Sequence, residues 1–433
     1  MFAVRKPDIR YNAVSYFYRK MRRIHAILLC LSALACSKID NVPEGGDIKE
    51  PEEEEITFPT KGEHSYLVVL VEASDVHFSI ENPQQAFQDM LNRQGYSEHG
   101  ASGSARDYFV EQSNSAFLPQ FDVYGPVTVD MAMSNFTLGR GLTKLGAPRL
   151  FAMACDKLDS TVDFSQYDSD HNGVIDNVFF YYAGYNSAEG PEDAIWPHAG
   201  QVEYKDWEFD KKKFKDYACT SELQGSNGTD MARIGNFCHE FAHVLGLPDF
   251  YDTDFNSDAG PWDFSLMHNG CYNNAGNTPP SLNCEEKLLL GWMDSIPEVP
   301  CPATGYTLNP VSGHCGAKIP TGNPGEYYYL EYRNKTGWDR FLPEGLVIYH
   351  VDKSENIVDG KTAESHWRRL DNINGSSTHP CFDMIRASDD CVVFGEGVTE
   401  YRPAAWDGTP CPKIENISFN GSELTFDIRP AVQ

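Results

Sequence analysis

The sequence predicts a mixed α/β (α+β) domain followed by a smaller β-rich, sandwich-like domain, and three features support this prediction. Residues 66–71 read YLVVLV, an uninterrupted apolar run typical of a strand that is buried on both faces. Residues 234–245 instead carry apolar side chains at steps of three and four, which is typical of an amphipathic helix. Beyond about residue 297 the pattern changes to apolar/polar alternation with turns, which indicates strands.

Helices and strands alternate before the amphipathic helix. Helices are predicted at 86–92, 104–112 and 142–158, and strands at 66–71, 121–127 and 178–183. Later elements are a helix at 285–290 and strands at 326–333, 345–352 and 423–428. Because 433 residues are too many for one ordinary core, we expect one domain at 58–297 and a second at 298–433.

The N-terminal residues are expected to direct export. A basic Met21-Arg22-Arg23 group precedes an apolar run that ends in LSALAC at Cys36. This segment, 1–36, resembles a bacterial lipoprotein signal that starts at Met21 and is lipidated at Cys36; an ordinary secretory signal or an uncleaved anchor is the alternative. Residues 37–57 are acidic and contain Gly and Pro, which predicts a flexible linker. We therefore expect a cell-surface or outer-membrane lipoprotein, or else a secreted or periplasmic protein, with no membrane contact beyond the lipid.

Charge and cysteine content bound the partners and the compartment. The formal net charge of -28 repels nucleic acid, so we expect no nucleic-acid partner. Ten cysteines follow Cys36, and an even number in an exported protein suggests disulfides. The short separations make Cys301/Cys315 and Cys381/Cys391 plausible pairs, and none of the cysteines has the CxxC spacing of a structural zinc site.

The amphipathic helix carries a candidate zinc site. His239 and His243 are four residues apart, so a helix places both imidazoles on one face, with Glu240 beside the first. Gly246 ends the helix and permits a sharp turn, which could bring Asp249 back toward the histidines as a third ligand. Three protein ligands and a water are the set that catalytic zinc uses, so we interpret this segment as a zinc hydrolase site.

The wider sequence resembles a known family of peptidases. HEFAHVLGLPDFYD at 239–252 and SLMHNG at 265–270 are similar to the metzincin pattern HExxHxxGxx(H/D) and its Met-turn. More closely, the chain resembles the immune-inhibitor-A-like (M6) metallopeptidases over most of residues 60–352. The segments that carry this resemblance are GSARDYFVEQSNSAF at 103–117, YDSDHNGVIDNVFFYYAGYN at 167–186, IWPHAG at 195–200 and LEYRNKTGWDRFLPEGLVIYHVD at 330–352.

The resemblance implies a metzincin-like zinc peptidase domain with assigned ligands. It places zinc on His239, His243 and Asp249, makes Glu240 the catalytic base, and puts Met267 in the turn beneath the metal. Asp249 stands where most metzincins have a third histidine. A glutamate from a later helix, for which Glu285 and Glu286 are the candidates, is therefore the alternative third ligand.

The resemblance also indicates how a substrate binds. An extended peptide would lie beside an edge strand near residues 195–198 and pair with its backbone. Tyr272 follows the Met-turn and is a candidate for stabilising the oxyanion; a tyrosine of the core or rim is the alternative. His198 and His268 are either substrate contacts or structural histidines.

Residues 168–176 read DSDHNGVID and resemble the start of a calcium-binding loop. The candidate ligands are Asp168, Asp170, Asn172, the carbonyl of Val174, and Asp176. The full EF-hand pattern is not met, because its twelfth position is Phe179 and a strand follows, so a further ligand such as Asp163 would be required. An Asx-rich turn that caps the strand without metal is the alternative.

Together these features predict an exported or surface-anchored zinc metalloendopeptidase. It would hydrolyse proteins or peptides with a zinc-activated water and Glu240 as general base, using Zn²⁺ and a structural Ca²⁺. One alternative is a surface adhesin or other binding protein on a peptidase scaffold, against which the intact His239, Glu240, His243 and Asp249 argue. The other is a narrow-specificity peptidase directed at glycoproteins.

Overall fold

The computed structural model describes residues 59–137, 143–202, 207–367 and 372–431. The predicted signal segment with Cys36 and the predicted linker at 37–57 lie outside the described residues. The chain from Thr57 to Gln433 is one compact unit. The expected boundary near residue 297 falls inside this unit and stays a prediction. In the described part, none of the helices combines the length and apolar character needed to cross a bilayer.

A five-stranded sheet lies at the centre of the N-terminal half. Its order is β2-β1-β3-β7-β4, in which the first four strands are parallel and β4 is an antiparallel edge strand beside β7. A short hairpin, β5-β6, precedes β7. The strands are β1 Gly62–Ala73, β2 Phe117–Val129, β3 Val178–Tyr185, β4 His198–Gln201, β5 Trp207–Phe209, β6 Lys212–Phe214 and β7 Asp216–Leu223.

Helices cover both faces of this sheet. They are α1 Pro83–Asn92, α2 Ala105–Gln112, α3 Thr143–Leu158, α4 Ile234–Val244 and α5 Cys284–Leu289. A capping box between Ser104 and Asp107 starts α2, and one between Asn283 and Glu286 starts α5. The strands and helices expected in this half are all present.

The β1 strand is buried on both faces of the sheet, which explains why residues 66–71 are all apolar or aromatic. Its even-numbered side chains pack with α1, α2 and α4, and its odd-numbered side chains pack with α3 on the other face. Burial of each Val or Leu stabilises the fold by about 1.5–3 kcal/mol relative to exposure. The sheet therefore gives α4 a rigid apolar support.

The C-terminal part consists of antiparallel sheets. A four-stranded sheet has the order β14-β11-β10-β9, and a three-stranded sheet has the order β15-β16-β8. The strands are β8 Ala303–Leu308, β9 Ala317–Pro320, β10 Glu326–Arg333, β11 Gly345–Asp352, β12 Ile357–Val358, β13 Lys361–Thr362, β14 Phe382–Ile385, β15 Lys413–Phe419 and β16 Leu424–Arg429. The predicted mixed α/β fold with a β-rich region is confirmed, and its metzincin-like character stays a prediction.

The expected disulfides are not formed. All ten cysteines within the described residues are free. Cys315 and Cys391 instead donate their thiol hydrogens to nearby carbonyls, those of Gly313 and Val393. The suggested pairs Cys301/Cys315 and Cys381/Cys391 are therefore wrong for this structure, because sequence separation alone does not bring two sulfur atoms together.

Candidate metal centre

The α4 helix presents two different faces. Phe237 and Phe241 pack on the sheet and its flanking helices, with ring centroids 4.4 Å from Phe179 and 4.8 Å from Tyr66, respectively. Gly235 on the same helix packs so closely that an added Cβ would lie 1.8 Å from the carbonyl oxygen of Cys271. The helix is thus fixed between the sheet and the segment that follows the predicted Met-turn.

His239 and His243 lie together on the other face, as their spacing predicts. Their ring centroids are 4.9 Å apart. The Nδ1 atom of His239 lies 2.9 Å from the carbonyl oxygen of Leu266, and that of His243 lies 2.7 Å from that of Leu247. A carbonyl oxygen only accepts, so each Nδ1 carries a hydrogen, and in the neutral ring Nε2 carries a lone pair.

The turn after α4 brings Asp249 back to these histidines. Gly246 has a φ of +106°, a conformation that L side chains rarely adopt, and it reverses the chain. The Oδ1 atom of Asp249 lies 3.3 Å from Nε2 of His239 and 3.2 Å from Nε2 of His243. We call His239, His243, Asp249 and the adjacent Glu240 the metal centre.

The residues of the metal centre fit a cation. The three ligand atoms lie within 4.8 Å of one another, and Oδ1 of Asp249 is buried without a hydrogen-bond partner among the described residues. Three acceptor atoms at this spacing repel one another unless a cation lies between them. Two imidazole nitrogens and a carboxylate oxygen are ligands that zinc accepts.

The charges of the metal centre are strongly coupled. Burial opposes ionisation of Asp249, yet the histidines outweigh it and lower the pKa of this carboxyl well below its ordinary value. Burial also lowers the pKa of His239, but the interaction with Asp249 outweighs that effect and the net pKa is raised. The electrostatic field at this point therefore favours positive charge.

Glu240 is buried next to the candidate ligands and forms no ion pair within the described residues. Burial raises the pKa of Glu240 to about 8, although His239 opposes the increase. A carboxyl that titrates near neutrality exchanges a proton readily, which is the property required of a general base.

The alternative third ligands lie elsewhere. Glu286 accepts hydrogen bonds from the Ser265 hydroxyl at 2.5 Å and from the backbone N–H of Met267 at 3.2 Å. Glu285 pairs with the ammonium group of Lys353. Of the candidates for the third position, the structure brings only Asp249 together with the two histidines.

Met267 is fully buried beneath α4, and its backbone connects two parts of the metal centre. Its carbonyl accepts the N–H of Phe250, the residue after Asp249, at 2.9 Å. The preceding carbonyl, of Leu266, is the one that holds His239. The sequence did not indicate these backbone contacts, because they depend on the tertiary path of the chain.

Tyr251 lies next to Asp249, and Tyr272 interacts electrostatically with Tyr251. Tyr272 is 44% exposed. Tyr251, which sequence reasoning missed, is a hydrogen-bond neighbour of Asp249; burial, followed by the charges of Asp249 and Glu240, raises its pKa well above the ordinary value. Tyr251 therefore stays a neutral donor. The only sequence signal for it was its position two residues after the candidate ligand.

The other two candidate histidines, His268 and His198, form hydrogen bonds within the fold. The His268 ring is buried and accepts the backbone N–H of Trp262 at 2.8 Å, and burial lowers its pKa to about 3. The His198 ring contacts the carbonyl of Trp196 at 2.7 Å and the hydroxyl of Tyr217 at 2.8 Å. His198 begins β4, so the predicted substrate wall at 195–198 leads into the edge strand of the sheet.

We call residues 168–176 the acidic loop. Most of its side-chain oxygens accept hydrogen bonds from the loop itself or from Lys212. Candidate ligand atoms of Asp168, Asp170 and Asp176 lie within 4.8 Å of one another. Asp168 pairs with Lys212 and accepts the N–H of Gly173, while Asp176 accepts from both the N–H and the hydroxyl of Ser169. Asn172 accepts the N–H of Val174 at 2.7 Å.

Comparison with known proteins identifies a family for the chain. A family model described as the catalytic domain of immune inhibitor A peptidase M6 matches residues 65–290, just over half of the chain. Immune inhibitor A from Bacillus thuringiensis subsp. alesti is 26% identical over 264 residues. That match covers 51% of this chain and 38% of the relative, so the chain spans well under half the length of this relative.

Proposed function

Because the chain belongs to the immune inhibitor A M6 family and is thus a metallopeptidase, we propose that it is an exported zinc endopeptidase. One observation carries the proposal: the Nε2 atoms of His239 and His243 converge on a buried Asp249 oxygen that lacks a hydrogen-bond partner in the described chain. In this proposal these three residues hold the metal. A bound zinc lowers the pKa of water and polarises a carbonyl group.

Glu240 moves the proton in the proposed reaction. A carboxylate oxygen of Glu240 accepts a proton from the attacking water and then donates it to the nitrogen of the leaving amine. The carbonyls of Leu266 and Leu247 keep the two imidazoles oriented throughout. Tyr251 and Tyr272 are the candidate donors to the oxyanion.

The substrate is a protein or peptide in this proposal. β4 ends the central sheet and runs antiparallel to β7, so an extended peptide could continue the sheet there by backbone pairing. Hydrolysis inside the chain, rather than at its ends, is consistent with a binding surface that pairs with a strand.

A peptide-library digest with matched variants tests the proposal. Glu240→Ala should retain stoichiometric zinc but lower the rate of cleavage by about 10²–10⁴-fold, the usual contribution of a general base. Glu298→Ala, an exposed glutamate outside the centre, should cleave like the wild type. A wild type that contains no zinc, or a Glu240→Ala protein with full activity, would overturn the assignment.

The same digest separates the two alternatives. An adhesin would bind its partner equally well with and without Glu240→Ala, and would leave the library intact. A peptidase directed at glycoproteins would cleave only when matched glycosylated peptides are included. Cleavage of unmodified peptides at internal bonds supports the general endopeptidase.

Export and lipid attachment rest on the sequence at Cys36. Cys36→Ser should move the protein from the membrane fraction to the soluble exported fraction without changing its zinc content. Equal partitioning of the two proteins would argue against the lipid anchor.

A structural calcium ion in the acidic loop is a second candidate. It is supported by the proximity of the three carboxylates and by Oδ1 of Asp168, which is buried without a hydrogen-bond partner in the described chain. Calcium would have to displace Lys212, so we propose weak binding. Calorimetry on chelator-treated protein should show a small calcium-dependent rise in Tm, and no rise would remove this candidate.

A further inference from the structure

The loop that carries Asp249 and Met267, residues 249–268, is held from the C-terminal β-rich part. Four contacts reach its backbone from beyond residue 297, and in one of them Asn372 accepts the N–H of Thr253 at 3.2 Å. In the other three, Asn374 donates to the carbonyl of Phe250 at 2.8 Å, Asp383 accepts the N–H of Gly260 at 2.8 Å, and Arg333 donates to the carbonyl of Phe264 at 3.2 Å. We call residues 249–268 the ligand loop.

Asn374 fixes the part of the ligand loop next to Asp249. This fully buried amide also donates to the carbonyl of Phe382 and accepts the N–H of Phe382, so its own position is set by β14. The ring of Phe250 packs on that of Phe382 with centroids 4.8 Å apart. Both the backbone and the side chain of the residue after Asp249 thus rest on the C-terminal sheet.

Arg333 fixes the other end of the ligand loop. Its guanidinium is fully buried between Glu331 at 2.7 Å and Asp339 at 3.1 Å, which balance its charge. From there it reaches the carbonyl of Phe264, two residues before the carbonyl of Leu266 that holds His239. A shift of this turn would therefore rotate His239 away from Asp249.

We propose that Asn374 and Arg333 are positioning residues of the metal centre, so that the C-terminal β-rich part completes the peptidase site. Neither side chain touches the ligand atoms; Asn374 acts through Phe250, and Arg333 acts through the backbone at 264–266. The inference rests on the proposed zinc site. It assigns residues 298–433 a function in metal binding that a detachable binding module would not have.

A measurement of zinc affinity distinguishes a residue that positions the metal centre from one that only stabilises the fold. Outer partners of metal ligands usually contribute 10–100-fold to affinity. Asn374→Ala should raise the zinc Kd by about 10-fold or more, measured well below Tm by competition with a chelator, and should shift the visible spectrum of the Co²⁺-substituted protein. Each measurement uses the full chain.

Asn323→Ala is the matched control. Asn323 lies in the same β-rich part, where it donates to Glu326 and Asn356 and not to the ligand loop. This variant should lower Tm but leave the zinc Kd within about twofold and the Co²⁺ spectrum unchanged. Equal zinc Kd values for Asn374→Ala, Asn323→Ala and wild type would overturn the inference.

Arg333→Lys provides a second test of the inference if Asn374→Ala does not fold. Lysine keeps the positive charge between Glu331 and Asp339 but lacks the second guanidinium nitrogen, and with it the separate donation to the carbonyl of Phe264. We expect a weakened zinc affinity with the same change in the Co²⁺ spectrum; an unchanged spectrum would contradict the inference. A wild type that binds no zinc would instead refute the proposed function.

Discussion

The metal centre and the acidic loop both gather carboxylates, but they differ in what the chain supplies to those oxygens. At the metal centre, two imidazole Nε2 atoms face an Asp249 oxygen that lacks a hydrogen-bond partner among the described residues. At the acidic loop, Lys212 and Gly173 already donate to Oδ2 of Asp168, and Ser169 donates to Asp176. Within the described residues of this loop, a buried carboxylate oxygen without a donor remains only at Oδ1 of Asp168. A cluster of acceptors needs an external cation only to the extent that the protein has not provided its own donors.

The side chains of the two clusters are also oriented differently. The Nδ1 atoms of His239 and His243 donate to backbone carbonyls, so their Nε2 atoms point toward a common centre. In the acidic loop, Asp170 and Asn172 turn back on the local backbone as Asx turns do. We therefore expect strong metal binding at the first cluster and weak metal binding at the second.

The largest expected effect is at Asp249. Asp249→Ala removes one of the three proposed ligands and should lower zinc affinity by at least about 100-fold, more than the loss of an outer partner. Asp168→Ala and Glu285→Gln are the matched controls and should keep one zinc per chain. Metal analysis after dialysis against a weak chelator measures all three, and full zinc in Asp249→Ala would remove the aspartate as a ligand.

An intermediate effect is expected at Lys212. Lys212→Met removes the ammonium group from Asp168 while keeping a side chain of similar length, so a calcium ion no longer competes with an internal cation. Calcium affinity should rise by about 10-fold, the equivalent of 1.4 kcal/mol. Titration calorimetry measures the gain; no binding by either protein would identify the acidic loop as a metal-free Asx-rich turn.

Sequence spacing predicted the part of the site that follows from local geometry. Four residues of helix place His239 above His243, and the strands at 326–333 and 345–352 have the predicted bounds. Glu285 and Glu286 were not distinguished by sequence. Neighbouring helical side chains point about 100° apart, and the packing of α5 decides which one contacts the predicted Met-turn.

The β7 strand was not predicted, because its polar residues do not fit the apolar pattern expected of a buried strand. Its sequence DYACTSEL contains Thr220, Ser221 and Glu222, yet every residue of the strand is buried. Glu222 is tolerated there because it accepts the N–H groups of Ser79, Ile80 and Gly184. Such distant donors satisfy a buried carboxylate only in the folded chain, so the sequence pattern does not reveal them.

The smallest expected effect is on acid stability, where the acidic loop acts without metal. Burial opposes ionisation of Asp168, but Lys212 and the N–H of Gly173 outweigh it and lower the pKa of this carboxyl. A lowered folded-state pKa contributes stability above the unfolded value, about 3.9, and that stability is lost as the pH falls through the folded value. Asp168→Asn should therefore lower Tm at pH 7 and flatten the fall in Tm below about pH 4. Asp170→Asn, at an exposed position, should follow the wild-type profile, and an Asp168→Asn profile parallel to wild type would show that Lys212 does not stabilise the loop.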